Sequence, residues 1–246
     1  MKLIISKSNL LKGVQIVSKA VSNKTTMSIL ECILIDARED SVRLVANDMD
    51  LGIETFIEGT IQEKGIIAIE CKVFYEIVRK LPDSDISIQT DDDYKVSIVC
   101  ENSKFNIMGR NWEEFTDLPA VNKMNGIELS QFALKEVIRQ TIFSISDNDT
   151  NKTMGGELFE INDNCLRVVS LDGHRISIRK IELKENYAPR KVVVPGKTLN
   201  EISKILSGDT DKFVNIFFTS KHIVFEFDNT TVVSRLIEGE YFRIEQ

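Results

Sequence analysis

Three segments of this 246-residue chain recur in the same order at almost the same spacing. Leu11-Lys12-Gly13-Val14 matches Leu134-Lys135-Glu136-Val137 at an offset of 123 residues. Val42 to Asp48 (VRLVAND) matches Leu166 to Asp172 (LRVVSLD) at 124, and Lys72 to Leu81 (KVFYEIVRKL) matches Lys197 to Leu206 (KTLNEISKIL) at 125. Chance similarity does not keep order and offset together, so the chain reads as two copies of one module of about 125 residues. The join falls near Lys123 to Gly126, giving domains 1–124 and 125–246.

Each copy has an inner rhythm. Lys2 to Ser6 reads as a strand, and residues 8–21 place Leu10, Leu11, Val14, Val17 and Val21 on one helical face, with Ser8 or Asn9 as cap. Alternating strands are predicted at Leu30 to Asp36, Ser41 to Asn47 and Gly52 to Gly59. The pattern then restarts with a strand at Ile66 to Ile69 and a helix from Lys72 to Leu81, stopped by Pro82. Strands follow at Asp85 to Thr90, Tyr94 to Glu101 and Lys104 to Met108. The expected fold class is α+β, each domain being two helices packed on antiparallel sheets with one solvated face.

Several kinds of chemistry are excluded at this level. No glycine-rich strand-to-helix turn is present, which removes the usual nucleotide cradles. Cys32, Cys71, Cys100 and Cys165 are scattered without a CxxC, so they read as reduced thiols, with no metal site and no cofactor expected. Two histidines leave nothing to complete a triad around Asp172, His174 and Arg175, and no catalytic residue is assigned. No apolar run is long enough for a membrane span, and charge appears too early for a signal peptide, which points to the cytoplasm.

Charge is distributed unevenly. The net charge is −7, yet the four predicted helical segments (8–21, 72–81, 131–144 and 196–206) sum to +6, so the remainder carries −13. Lys12 and Lys19, Lys72 and Arg79, Lys135 and Arg139, and Lys197 and Lys204 stand four or seven apart, which keeps each pair on one face. Exposed helix faces are commonly charged. Repetition of the same bias on four helices instead suggests a basic surface suited to a phosphate backbone.

Beyond the repeat, particular segments resemble a known family. Leu10-Leu11-Lys12, Ser28-Ile29-Leu30 and Asn47-Asp48-Met49-Asp50-Leu51 look like the first domain of the bacterial DNA polymerase III β subunit, the β sliding clamp. Glu113-Glu114-Phe115-Thr116-Asp117-Leu118-Pro119 resembles its interdomain approach. Phe143-Ser144, Leu158-Phe159-Glu160 and above all Ser170-Leu171-Asp172-Gly173-His174-Arg175-Ile176 look like its second domain. The resemblance implies a non-catalytic processivity factor of the DNA-clamp fold. It would act as a ring of two head-to-tail subunits of three domains each, encircling double-stranded DNA and tethering the replicative polymerase. The third domain is expected to be absent from this chain. Partners would be the polymerase subunit, the clamp loader and other clamp-binding proteins.

Residue by residue, the resemblance puts DNA contact on Lys24, Lys72, Asn148, Lys152 and Thr153. It puts a partner-peptide cleft on Met154, Leu171, Gly173, His174, Arg175, Ile176 and Phe242, and a subunit interface on Phe105 and Ile107. The rival class is a β-rich interaction scaffold that binds proteins without encircling DNA.

Overall fold

The computed structural model describes residues 1–22, 25–124, 126–146 and 151–242. Two compact units emerge: Met1–Leu118 with Asn229–Thr231, and Pro119–Asp228 with Val232–Gln246.

In the first unit, β1 (Lys2–Ser6) runs straight into α1 (Lys7–Val17). Ser6 is the hinge: its backbone is still extended (φ −60°, ψ 141°) while its hydroxyl accepts from the Asn9 backbone N–H at 3.3 Å. The expected caps, Ser8 and Asn9, lie inside the helix, because a cap needs the extended conformation that Ser6 already has. Leu10, Val14 and Val17 are buried at helical spacing, with Lys12 and Gln15 exposed opposite. Gly13 lies on the buried face. A Cβ there would stand 2.7 Å from the Ile57 side chain and 2.8 Å from that of Leu44, so only glycine lets the helix sit this close to the sheet.

After α1 come β2 (Cys32–Asp36), β3 (Val42–Asn47), β4 (Leu51–Ile57), a short β5 (Thr60–Glu63) and β6 (Ile66–Glu70). Then α2 (Cys71–Lys80) ends at Leu81, which the following Pro82 holds extended (ψ 155°). β7 (Asp85–Thr90), β8 (Lys95–Cys100) and β9 (Ser103–Met108) complete the unit. The strands follow the orders β5-β1-β7-β8-β9 and β4-β3-β2-β6, all antiparallel neighbours. Beyond β9 the chain folds back: Trp112, Phe115 and Leu118 pack on a cluster of Ile29, Leu30, Cys32, Leu34, Val45 and Ala68. That packing sets the unit's end at Leu118, a few residues before the join read from the sequence. Burial pushes the Cys32 and Cys71 thiols up to about 11, which keeps them protonated and unreactive.

The second unit repeats the plan. β10 (Ile127–Ser130) feeds α3 (Gln131–Thr141), and Ser130, 124 positions after Ser6, accepts from the Ala133 N–H at 3.1 Å as that helix's cap. β11 (Gly156–Leu171) and β12 (Ile176–Pro195) pair along their length, and between Asp163 and Cys165 the partner jumps from Tyr187 to Glu182. These two long strands stand in for β2 to β6. Then α4 (Gly196–Ile205) leads to β13 (Phe213–Phe218), β14 (His222–Phe227) and β15 (Thr230–Arg235). The order β10-β13-β14-β15 is the counterpart of β1-β7-β8-β9.

One further correspondence ties each helix pair together. In the first unit the Lys7 ammonium donates to the carbonyl of Leu81, just past α2. In the second, Lys135 donates at 2.9 Å to the carbonyl of Leu206, just past α4. Cations there satisfy carbonyls that the helix leaves open and complement its dipole. Lys135 therefore leaves the predicted basic stripe: it is a capping residue.

The second unit's core holds one polar anomaly. Glu157 on β11 is 0% exposed, and among the described residues neither carboxylate oxygen has a hydrogen-bond partner. The nearby Thr141 hydroxyl donates instead to the Val137 carbonyl at 2.7 Å. Burial pushes the Glu157 carboxyl from an ordinary 4.5 up to about 8, against a small lowering by Thr141, so at neutral pH it is held as the neutral acid. An unfolded chain ionises this group near 4.5, while the folded one keeps its proton to about 8. Stability therefore falls as pH rises between these values and levels off above them. Denaturant unfolding at several pH values should show Glu157→Gln removing a slope that approaches about 1.4 kcal/mol per pH unit in the wild type.

Candidate functional site

The helices offer their unburied faces to solvent in both units. On α1 the exposed cation is Lys12; on α2, Lys72, Arg79 and Lys80; on α3, Arg139; on α4, Lys197 and Lys204. Several are tethered along their own helix: Arg79 to Glu76 at 2.7 Å, Arg139 to Glu136 at 2.8 Å and Lys204 to Glu201 at 2.7 Å. Exposed pairs of this kind hold weakly, so the guanidinium and ammonium groups stay available to another anion. Lys72 lies in the first turn of α2, exposed.

The other sequence-derived DNA positions fare differently. Lys24 and Asn148 lie outside the described residues. Lys152 is exposed on a short 3-10 turn, Lys152–Gly155. Thr153 on the same turn is only 7% exposed, and its hydroxyl donates to the Asn151 side chain at 2.8 Å. It locks the turn and leaves little side-chain surface for DNA contact.

A second constellation is built at the β11–β12 hairpin. Asp172 organises it: its carboxylate accepts from the backbone N–H groups of His174 (3.0 Å) and Arg175 (3.1 Å) and from the Arg175 guanidinium at 2.8 Å. The His174 N–H, with Arg175, holds this carboxyl below its ordinary range. Gly173 takes φ +89°, a backbone that side chains disfavour, so the Asp-Gly pair is what turns the chain here. The result projects His174, Arg175 and Ile176 into solvent, Ile176 being 54% exposed, while Leu171 is buried just before the turn. Arg175 also lies over the ring of Phe143, 5.7 Å from its centroid, and Phe143 is 56% exposed.

The far chain segment is anchored by Tyr241. Its hydroxyl donates to the Val169 carbonyl at 3.3 Å, and its ring packs with Ile237 on Leu158, Val169 and Val193. Phe242 stands edge-on to Tyr241 and is exposed, and Gly239 approaches Thr153 in the turn that carries Met154. Sequence reasoning chose Phe242 but missed Tyr241, its anchor, and gave Phe143 no role. An aromatic pair near the end of a strand-rich unit is the signal that was available. Here the described side chains offer apolar contact and an oriented guanidinium. Among the described residues no group of His, Cys, Asp and Glu side chains is placed to hold a metal ion.

In the first unit Phe105 (40% exposed) and Ile107 share one face of β9, which among the described residues has a strand neighbour on one side only. Ile107 and Met108 line a shallow cavity of about 500 Å³. Among the described residues no helix is long and apolar enough to cross a membrane.

A duplicated module with cationic helix faces, an apolar solvent-facing hairpin and an exposed sheet edge defines a binding protein of the clamp type. Family models agree with that class: the DNA polymerase III beta subunit N-terminal domain matches residues 1–119, and its central domain matches residues 128–242. The chain belongs to the DNA polymerase III beta subunit family. It is 37% identical to the beta sliding clamp of Halalkalibacterium halodurans, an alignment covering 98% of this chain and 66% of that protein. A solved structure of a putative DNA polymerase III beta subunit from Eubacterium rectale superposes with a TM-score of 0.98 at 66% identity, over 100% of this chain and 67% of that one. A sliding clamp from Bartonella birtlesii, solved bound to griselimycin, gives a TM-score of 0.91 at 29% identity over 100% and 67%. The chain thus spans about two thirds of the length of these relatives.

Proposed function

We propose that this chain supplies two modules of a sliding clamp, a non-catalytic ring that encircles duplex DNA and holds a replicative polymerase on it. The observation that carries the reading is the family match across both units, each of which turns cations outward on helices while the chain as a whole is acidic. A topological tether needs no sequence readout, only weak phosphate contacts that let the ring slide. Lys72 and Lys152 fit that role by exposure, and Lys24 and Asn148 are carried over by resemblance. Phe105 and Ile107 on the open edge of β9 would meet a second subunit, head to tail.

Partner proteins, among them a polymerase subunit and a clamp loader, would dock a short peptide on the strip formed by Met154, Leu171, Gly173, His174, Arg175, Ile176 and Phe242. Apolar contacts from Ile176, Met154 and Phe242 would supply affinity, and Arg175 would orient a carbonyl or carboxylate.

Two measurements test this. The full-length protein, once loaded, should be retained on nicked circular duplex and lost when the circle is linearised. Equal loss from both forms would leave only the protein-binding scaffold. Griselimycin, bound by the Bartonella relative, serves as the probe for the strip. Ile176→Glu should weaken it by about 10-fold or more, equivalent to about 1.4 kcal/mol, without lowering the melting temperature. Unchanged affinity would move the docking site elsewhere.

A further inference from the structure

The solvent-facing side of the β11–β12 ribbon carries a cavity of about 590 Å³ that neither role above uses. Four cations, Arg167, Lys180, Arg190 and Lys191, line it around a single carboxylate, Glu160. The chain as a whole has 38 acidic residues against 31 basic ones, so a local excess of three positive charges runs against the composition.

The arrangement is also locally unfavourable. Arg167 and Lys180 are direct cross-strand partners, and like charges placed opposite one another destabilise a sheet. Glu160 pairs with both Arg167 and Lys191 (2.6 Å to the latter), so one carboxylate serves two cations. Lys180 has no ion-pair or hydrogen-bond partner among the described residues. Arg190 is held in place from behind. It donates to the Phe218 carbonyl at 2.8 Å and lies over that ring, 5.5 Å from its centroid, which engages one of the five donors a guanidinium has. A conflict of this kind, kept within an otherwise consistent sheet, marks a binding function.

We propose that this cavity is a site for an oligophosphate chain. A single phosphate would meet only part of the row Lys180, Arg167, Glu160, Lys191, whereas three linked phosphates extend along it and bring enough charge to match the excess. Among the described residues no aromatic side chain lines the cavity to stack a base, so the phosphate chain itself is the recognised part, whether inorganic or the tail of a nucleotide.

The probe is inorganic tripolyphosphate, titrated calorimetrically into the whole chain at fixed ionic strength, with ATP as a second arm. Saturable binding is expected, weakened about 10-fold by Lys180→Glu and strengthened several-fold by Glu160→Gln, which frees Arg167 and Lys191. The opposite signs separate recognition from loss of fold, and Lys180 is exposed enough that its replacement leaves the core untouched. ATP should show the same Lys180→Glu sensitivity. Absence of saturable binding, affinity indifferent to Lys180→Glu, or ATP binding that ignores it would overturn the site. None of these outcomes bears on DNA retention or griselimycin binding, so the clamp reading stands or falls separately.

Discussion

Each helix of this protein buries one face against a sheet, and that constraint decides what its opposite face can be. Leu10, Val14 and Val17 on α1, Phe74 and Val78 on α2, Leu134, Val137 and Ile138 on α3, and Leu199 and Ile202 on α4 are all buried. Burying each such side chain stabilises the fold by about 1.5–3 kcal/mol, which fixes the rotation of the helix about its axis. The solvent face is then free of packing demands and can carry charge at little cost. In both units it carries lysine and arginine. The proposed DNA contact uses the surface that folding does not need.

Duplication explains why the two units share details that no single unit requires. Ser6 and Ser130 cap equivalent helices, and the equivalent carbonyls of Leu81 and Leu206 are each closed by a lysine, though Lys7 and Lys135 reach them from non-equivalent positions. Strand order β1-β7-β8-β9 returns as β10-β13-β14-β15. Where the copies differ, the difference is local: β11 and β12 run through positions where the first unit breaks into separate strands. The hairpin at Asp172 and Gly173 belongs to that elongated ribbon, and its exposed tip is where the peptide strip is proposed.

Much of the fold was legible because periodicity and punctuation are local signals. The strand at Asp85 to Thr90 and the helix stop before Pro82 depend only on neighbouring residues. What escaped were features decided by tertiary contact. Ser6 was passed over as a cap because a strand running without a loop into a helix leaves no break in pattern. Lys135 looked like surface charge until the end of α4 arrived beside it. Thr153 looked polar and accessible, yet it is covered in a turn. β5 is four residues of mostly exposed chain, held by pairing with β1, and has no apolar alternation to announce it. Glu157 could not be told from any other strand glutamate, since its neutrality follows from burial alone. At the candidate site, the Asp-Gly turn was readable from composition, but the Arg175–Phe143 contact joins residues far apart in the chain and needed coordinates.

In the proposed function duplex DNA meets the helices and not the sheets. Lysine-selective chemical footprinting, with and without duplex DNA, reads this directly. Lys12, Lys72 and Lys197 should be protected by DNA while Lys95 and Lys104 on β8 and β9 and Lys184 on β12 keep their free reactivity. Protection of the sheet lysines with the helix lysines unchanged would contradict it.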